Sequence, residues 1–257
     1  MILARQSFFL MLRLLMILLR QPWYVALTLI QPIIWLVLYG QLFKRVAELP
    51  GFHSSSYIDF LTPGVVIMSA LFSSGWTGMG VINDLDRGVM DRFLISPVER
   101  PAIILSRLMN LSFITVVQSL ILFGLGALLG ARYPGGLVGL LVLLIAAILL
   151  GIPFGALSIA MGLTIRKEES VIGAVNFVLL PLTFTSPVFM ANSLMPDWMR
   201  AVAEFNPVNW SVEAGRGALQ GTVGAQSILI RLGYLAAFAA VSAWIANRAF
   251  RAYQRSA

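Results

Sequence analysis

The chain has no cysteine, one histidine and little charge. Without a thiol there is no disulfide, no thiolate metal site and no cysteine nucleophile. The single imidazole, His53, lies in the polar stretch from Lys44 to Asp59 with no second ligand nearby, so it reads as a solvated side chain. Charged residues are 11% of the 257 and hydrophobic ones 59%. A soluble domain carries roughly a quarter charged residues, so a chain this apolar takes lipid as its solvent. There is no H-E-x-x-H, no G-x-S-x-G around Ser158 and no G-x-x-x-x-G-K-[ST]. Neither a catalytic site nor a metal site is expected, nor a phosphate-binding loop. Arg5, Arg13 and Arg20 interrupt the N-terminal apolar run, and no small-residue cleavage site follows it. No cleavable signal peptide is therefore expected.

What the chain does have is long apolar runs with arginines at their edges. The net charge of +7 comes from residues beside these runs, not from a basic stripe. They read as topology signals and contacts to anionic lipid, with no nucleic-acid partner. The fold class expected is all-α and polytopic: an interfacial helix at 2–21, then six membrane spans at about 22–43, 61–82, 108–130, 137–165, 171–190 and 227–247. In the first of these segments Arg5, Arg13 and Arg20 fall within about 80° of one another on a helix. A basic face against a broad apolar face suits a helix lying in the interface; a poor first span is the alternative. With both termini on the cytoplasmic side, twelve basic residues face inward and six outward, as the positive-inside rule requires.

Two polar stretches interrupt this pattern. From Ile82 to Pro97 the chain reads I-N-D-L-D-R-G-V-M-D-R-F-L-I-S-P. As one helix it puts Ile82, Leu85, Val89 and Phe93 on one face and Asp84, Arg87 and Asp91 on the other, with Arg87 able to pair with either acid. Such a charged ridge is a docking surface; a solvated connecting helix is the alternative. Residues 191–225 are too polar to span and too apolar to stand free in water. They are expected to re-enter the outer leaflet partly, buried in protein or lining a cavity. Glu213 and Arg216 within them are either functional charges at membrane depth or a pair that holds the segment's shape. Small residues along the second span (Ser69, Ser73, Ser74, Gly75, Gly78, Gly80) and Gly151-x-x-x-Gly155 suit close helix packing.

The order of these features resembles the permease subunits of type-2 ATP-binding-cassette exporters. Asp84, Asp86, Arg87 and Gly88, then Asp91 and Arg92, then Ser96-Pro97 follow the family's charged run between spans two and three, with Asp where Glu is commoner at 86 and 91. Thr62-Pro63-Gly64, Ser186-Pro187, Met195 to Trp198, Asn206-Pro207 and Arg216 follow its remaining pattern. The daunorubicin-resistance permeases look most similar, with lipo-oligosaccharide permeases near behind. The resemblance implies a homodimer in the bacterial inner membrane that binds two copies of a separate ATPase, which would carry the ATP and magnesium. It implies that 83–97 is the coupling helix and that amphipathic substrates, multidrug-type or lipid, are exported. Asn176, Thr183 and Thr185 are the side chains expected to line the substrate path. An ion-driven secondary transporter would need a carboxylate in mid-span, and none lies inside these spans. A non-transporting membrane scaffold remains the other alternative.

Overall fold

The computed structural model describes residues 2–20, 22–48, 52, 54, 56–89 and 99–256. Ten helices carry the argument: α1 (Ile2–Leu19), α2 (Pro22–Ile34), α3 (Tyr57–Gly75), α4 (Thr77–Asp86), α5 (Arg100–Leu128), α6 (Gly136–Ile165), α7 (Glu168–Phe184), α8 (Asp197–Glu204), α9 (Pro207–Gln220) and α10 (Ala225–Ser256). No strand occurs among the described residues. Four stretches are long and apolar enough to cross a membrane: Tyr57–Asp86, Pro101–Leu128, Gly136–Ile165 and Ala225–Ala249. At 1.5 Å per residue, a 30-residue helix such as α6 runs about 45 Å, past the ~30 Å hydrocarbon core and into the headgroups. Beyond Ile34, α2 continues through a π-helical turn (Trp35–Tyr39) and a last turn (Gly40–Leu42). Pro32 has no N–H to give the ladder, and the helix widens three residues later.

The expected second span is two helices. α3 ends at Gly75, and α4 begins after Trp76. The break is held by α6. Ser158 Oγ donates to the Gly75 carbonyl and accepts from the Gly78 amide at 2.9 Å. A side chain inserted into the helical ladder is an ordinary cause of a kink. The helices touch here because each presents a glycine to the other, Gly78 on α4 and Gly162 on α6. A Cβ on Gly78 would lie 2.2 Å from the Ser158 carbonyl oxygen, and one on Gly162 would lie 2.6 Å from that of Gly78. Gly155 packs against Leu111 in the same way. This is the close approach expected of small residues in lipid, where van der Waals packing holds helices together.

α3 is the buried axis: Leu61, Val65, Val66, Ile67 and Leu71 are closed off from the surface. The main core joins α3 to α6 and α9, and a second cluster joins α4, α5 and α6 at the other end through Val81, Ile104, Leu108, Ile159 and Leu163. The surface stays apolar, with Leu128, Leu137, Phe177 and Trp244 well exposed, as lipid-facing helices require. α1 packs along α5 and turns Phe8, Phe9, Met16 and Leu19 outward. The fifth apolar run ends sooner than expected. α7 closes at Phe184 rather than continuing to residue 190, because Pro187 gives no N–H to extend it and the chain turns at Thr185 and Ser186.

Candidate functional site

The charged segment begins as the end of α4, not as a helix of its own. Arg87 N–H donates to the Asn83 carbonyl and Gly88 N–H to that of Leu85. Gly88 sits at φ +64°, a left-handed conformation that glycine adopts without a Cβ penalty and that commonly ends helices. One continuous helix from Ile82 to Phe93 is therefore not formed. Asp91, Arg92, Ser96 and Pro97 lie outside the described residues. Asp86 and Arg87 are exposed on the last turn of α4 and at its cap.

Asp84 does not pair with Arg87. Its carboxylate meets the Arg107 guanidinium on α5, which also donates to the Gly80 carbonyl at 3.3 Å. The Arg107 side chain is 8% exposed and that of Asp84 21%. Two more ties converge at this end. Asn83 Nδ2 donates to Glu168 Oε1 at 3.4 Å on α7, and the Glu99 amide donates to Gln6 Oε1 at 2.8 Å on α1. Glu168 and Glu169 open α7, where carboxylates oppose the helix dipole favourably. The charged end thus fastens α1, α4, α5 and α7 together. Spacing along the chain gives no sign of the Arg107 contact, because the partners stand 23 residues apart across a turn.

The opposite end holds the polar segment. Asn206-Pro207 is a helix start: Asn206 Oδ1 accepts from the Val208 amide at 2.9 Å, and Pro207 occupies the first turn, where its missing N–H is not needed. Asn206 Nδ2 donates to the Leu182 carbonyl at 2.7 Å and to Thr185 Oγ1 at 3.1 Å, fixing α9 to the end of α7. α9 then runs antiparallel to α6. Ser211 donates to the Ala146 carbonyl, Gly215 packs on Leu143, and Gly135 N–H donates to the Leu219 carbonyl. Ala146 is ten residues into α6, so α9 reaches roughly 15 Å down it. Gly221, at φ +66°, closes the helix.

Arg216 and Glu213 are not partners of each other. Arg216 is 9% exposed. It donates to the Phe60 carbonyl at 3.1 Å, the Pro187 carbonyl at 2.8 Å and the Val188 carbonyl at 3.5 Å, with its guanidinium carbon 3.5 Å from the Phe60 ring centroid. It therefore locks α3, α9 and the turn after α7. Glu213 pairs with Arg231 on α10 and accepts from Asn192. In the turn before α6, Tyr133 stacks on Phe123 at 4.2 Å, and burial pushes its phenol up to about 12. It stays a neutral donor, to the Phe123 carbonyl at 3.3 Å.

The three side chains expected along a path each bond within α7 or to its end. Thr183 is buried and donates to the Leu179 carbonyl, Thr185 donates to that of Pro181 and receives Asn206, and Asn176 bonds back to Ile172. A cavity of about 280 Å³ lies elsewhere, between α1, α2, α3, α4 and α5. No group of three or more His, Cys, Asp or Glu placed to hold a metal occurs among the described residues, and His53 lies outside them.

A long-helix bundle with an apolar exterior, a charged end and a buried polar helix defines a polytopic membrane protein. The chain belongs to the ABC-2 type transporter family, whose model matches residues 5–219. It is 29% identical to the daunorubicin resistance ABC transporter permease protein DrrB1 of Streptomyces coeruleorubidus over 86% of this chain and 77% of the relative. It is 27% identical to the putative transport permease ycf38 of Cyanophora paradoxa, over 81% and 72%. It is 24% identical to the probable doxorubicin resistance ABC transporter permease protein DrrC of Mycobacterium tuberculosis, over 74% and 68%.

Proposed function

We propose that this chain is the permease subunit of an ATP-driven exporter that moves amphipathic or hydrophobic molecules out across a bacterial cytoplasmic membrane. Family membership across residues 5–219 carries the reading, and the names of the drug-resistance relatives supply the substrate class. In this reading α2, with its extension to Leu42, and α7 complete six spans, both termini are cytoplasmic, and α9 is the re-entrant outer element. Two copies of the chain pair, and each binds one ATPase subunit, which holds the ATP and magnesium.

The ATPase docks on the segment that follows Ile82, through Asp86, Arg87 and the residues beyond. Gly88 ends α4 just before that segment. When ATP draws the two ATPases together, the segment moves, and the motion enters the bundle where Asp84 holds Arg107 and Asn83 meets Glu168. Packed helices then shift as rigid bodies between inward- and outward-facing arrangements. The test is ATP-dependent accumulation of daunorubicin in inside-out vesicles that contain the permease and its ATPase. Accumulation that needs both chains and ATP is expected. Equal accumulation without the permease or without ATP would refute the exporter.

A further inference from the structure

The cavity between α1 and α5 has no role in the mechanism above. Its volume of about 280 Å³ is close to the lower end of the range of small-molecule sites, about 300–1,000 Å³. One side is apolar, made by Leu14, Ile17 and Leu18 of α1. Ile17 is 47% exposed, so the cavity reaches the outside of the bundle at α1. The facing wall is polar. Ser73 Oγ donates to Gln118 Oε1 at 2.8 Å, and Gln118 Nε2 donates to Thr28 Oγ1 at 3.0 Å, tying α3, α5 and α2 into a fixed surface.

Two features of that wall define a ligand. Among the described residues Arg107 is the charged one that lines the cavity, and its guanidinium is already engaged by Asp84 and the Gly80 carbonyl. The charge on Arg107 is therefore matched within the wall by Asp84. Asn110 also lines it, and its Oδ1 is buried with no hydrogen-bond partner. A buried acceptor left unmatched is unfavourable, and turning the Asn110 amide toward the cavity lets a ligand O–H or N–H relieve it. We infer that this cavity, within a single subunit and beneath α1, is a binding pocket for a neutral or cationic amphiphile whose hydroxyl or amino group donates to Asn110. The inference rests on the exporter reading, of which it names a substrate site. An apolar body packs on α1 and Trp76, and the rest of a drug-sized molecule projects past Ile17.

The chain has no native cysteine, so single cysteines report without background. Ile114→Cys places a thiol in the pocket, and Thr222→Cys places a control in the exposed turn between α9 and α10. The full chain, in native membranes with its ATPase, is labelled with N-ethylmaleimide. The probes are daunorubicin and, below its micelle-forming concentration, n-octyl glucoside. Both probes are expected to slow labelling of I114C at least fivefold and to leave T222C unchanged. Adding Asn110→Leu, which keeps the branching and number of side-chain heavy atoms and removes the acceptor, is expected to raise the probe concentration needed for half-protection about tenfold. No slowing at I114C with either probe overturns the pocket, and full protection in the N110L variant overturns the assignment to Asn110. Labelling does not require turnover. Unprotected I114C with intact ATP-driven accumulation refutes the pocket alone, and protection without accumulation refutes the exporter alone.

Discussion

The Asp84 carboxylate on the last turn of α4 is ion-paired with the Arg107 guanidinium on α5, largely out of contact with the surroundings. This pair binds the entry of the charged segment to the following span, where sequence spacing points to Arg87 as the partner. Arg107 is the more buried member, so removing Asp84 strands a charge inside the bundle. Asp84→Ala is expected to destabilise the protein by about 3–5 kcal/mol, with Arg107→Leu less severe because it leaves the more exposed carboxylate. The double variant is expected to recover part of the loss. Thermal unfolding of the four proteins in detergent measures the cycle; additive losses would mean the two groups do not interact.

Arg216 donates to three backbone carbonyls and lies on the Phe60 ring. A lysine offers neither the planar fork nor the stacking face. Arg216→Lys is expected to lose about 1–3 kcal/mol and to expose the turn after α7 to proteolysis. Native-like melting and protease resistance of the lysine variant would contradict the lock described here.

Asn206 does two separable jobs. Asn206→Asp keeps the oxygen that caps α9 and loses the donor to Leu182 and Thr185; Asn206→Ala loses both. Loss of the cap alone is worth about 1 kcal/mol. The alanine variant is expected to melt below the aspartate variant, and both below the native chain, in the same thermal assay.

Gly78 and Ser158 meet where α4 crosses α6. Gly78→Ala places a methyl against backbone that has no room to yield, so the helices must separate. It is expected to destabilise more than Ser158→Ala, which loses a hydrogen bond to a buried amide worth about 1–3 kcal/mol. Equal melting of the two variants would contradict the close approach.

Much of this was legible in the chain. Apolar runs give the long helices, because in lipid each must satisfy its own backbone. The small residues around Gly78 read as a packing face, whereas Asn206-Pro207 is legible only as part of a family pattern and not as the helix start it forms. Other features depend on contacts between distant elements. Nothing local marks Trp76 as a break, since Ser158 on another helix supplies the bonds that stabilise it. Glu213 and Arg216 look like a pair at helical spacing, yet each finds a better partner on a neighbouring element. Asn176, Thr183 and Thr185 stand out as polar residues in an apolar run, and short hydroxyl and amide side chains of this kind bond back to their own helix, as these three do. The helix that carries the periodicity from Ile82 ends at Gly88, whose backbone turns left-handed.

The central claim is that this permease works through a separate ATPase docked on the charged segment. The most direct measurement is co-purification from detergent-solubilised native membranes, comparing the native chain with the Arg87→Glu, Arg92→Glu double variant. An ATPase subunit with ATP hydrolysis activity is predicted to accompany the native chain and to be lost from the double variant while both fold alike. A native chain that purifies from its own host with no ATPase would contradict the account.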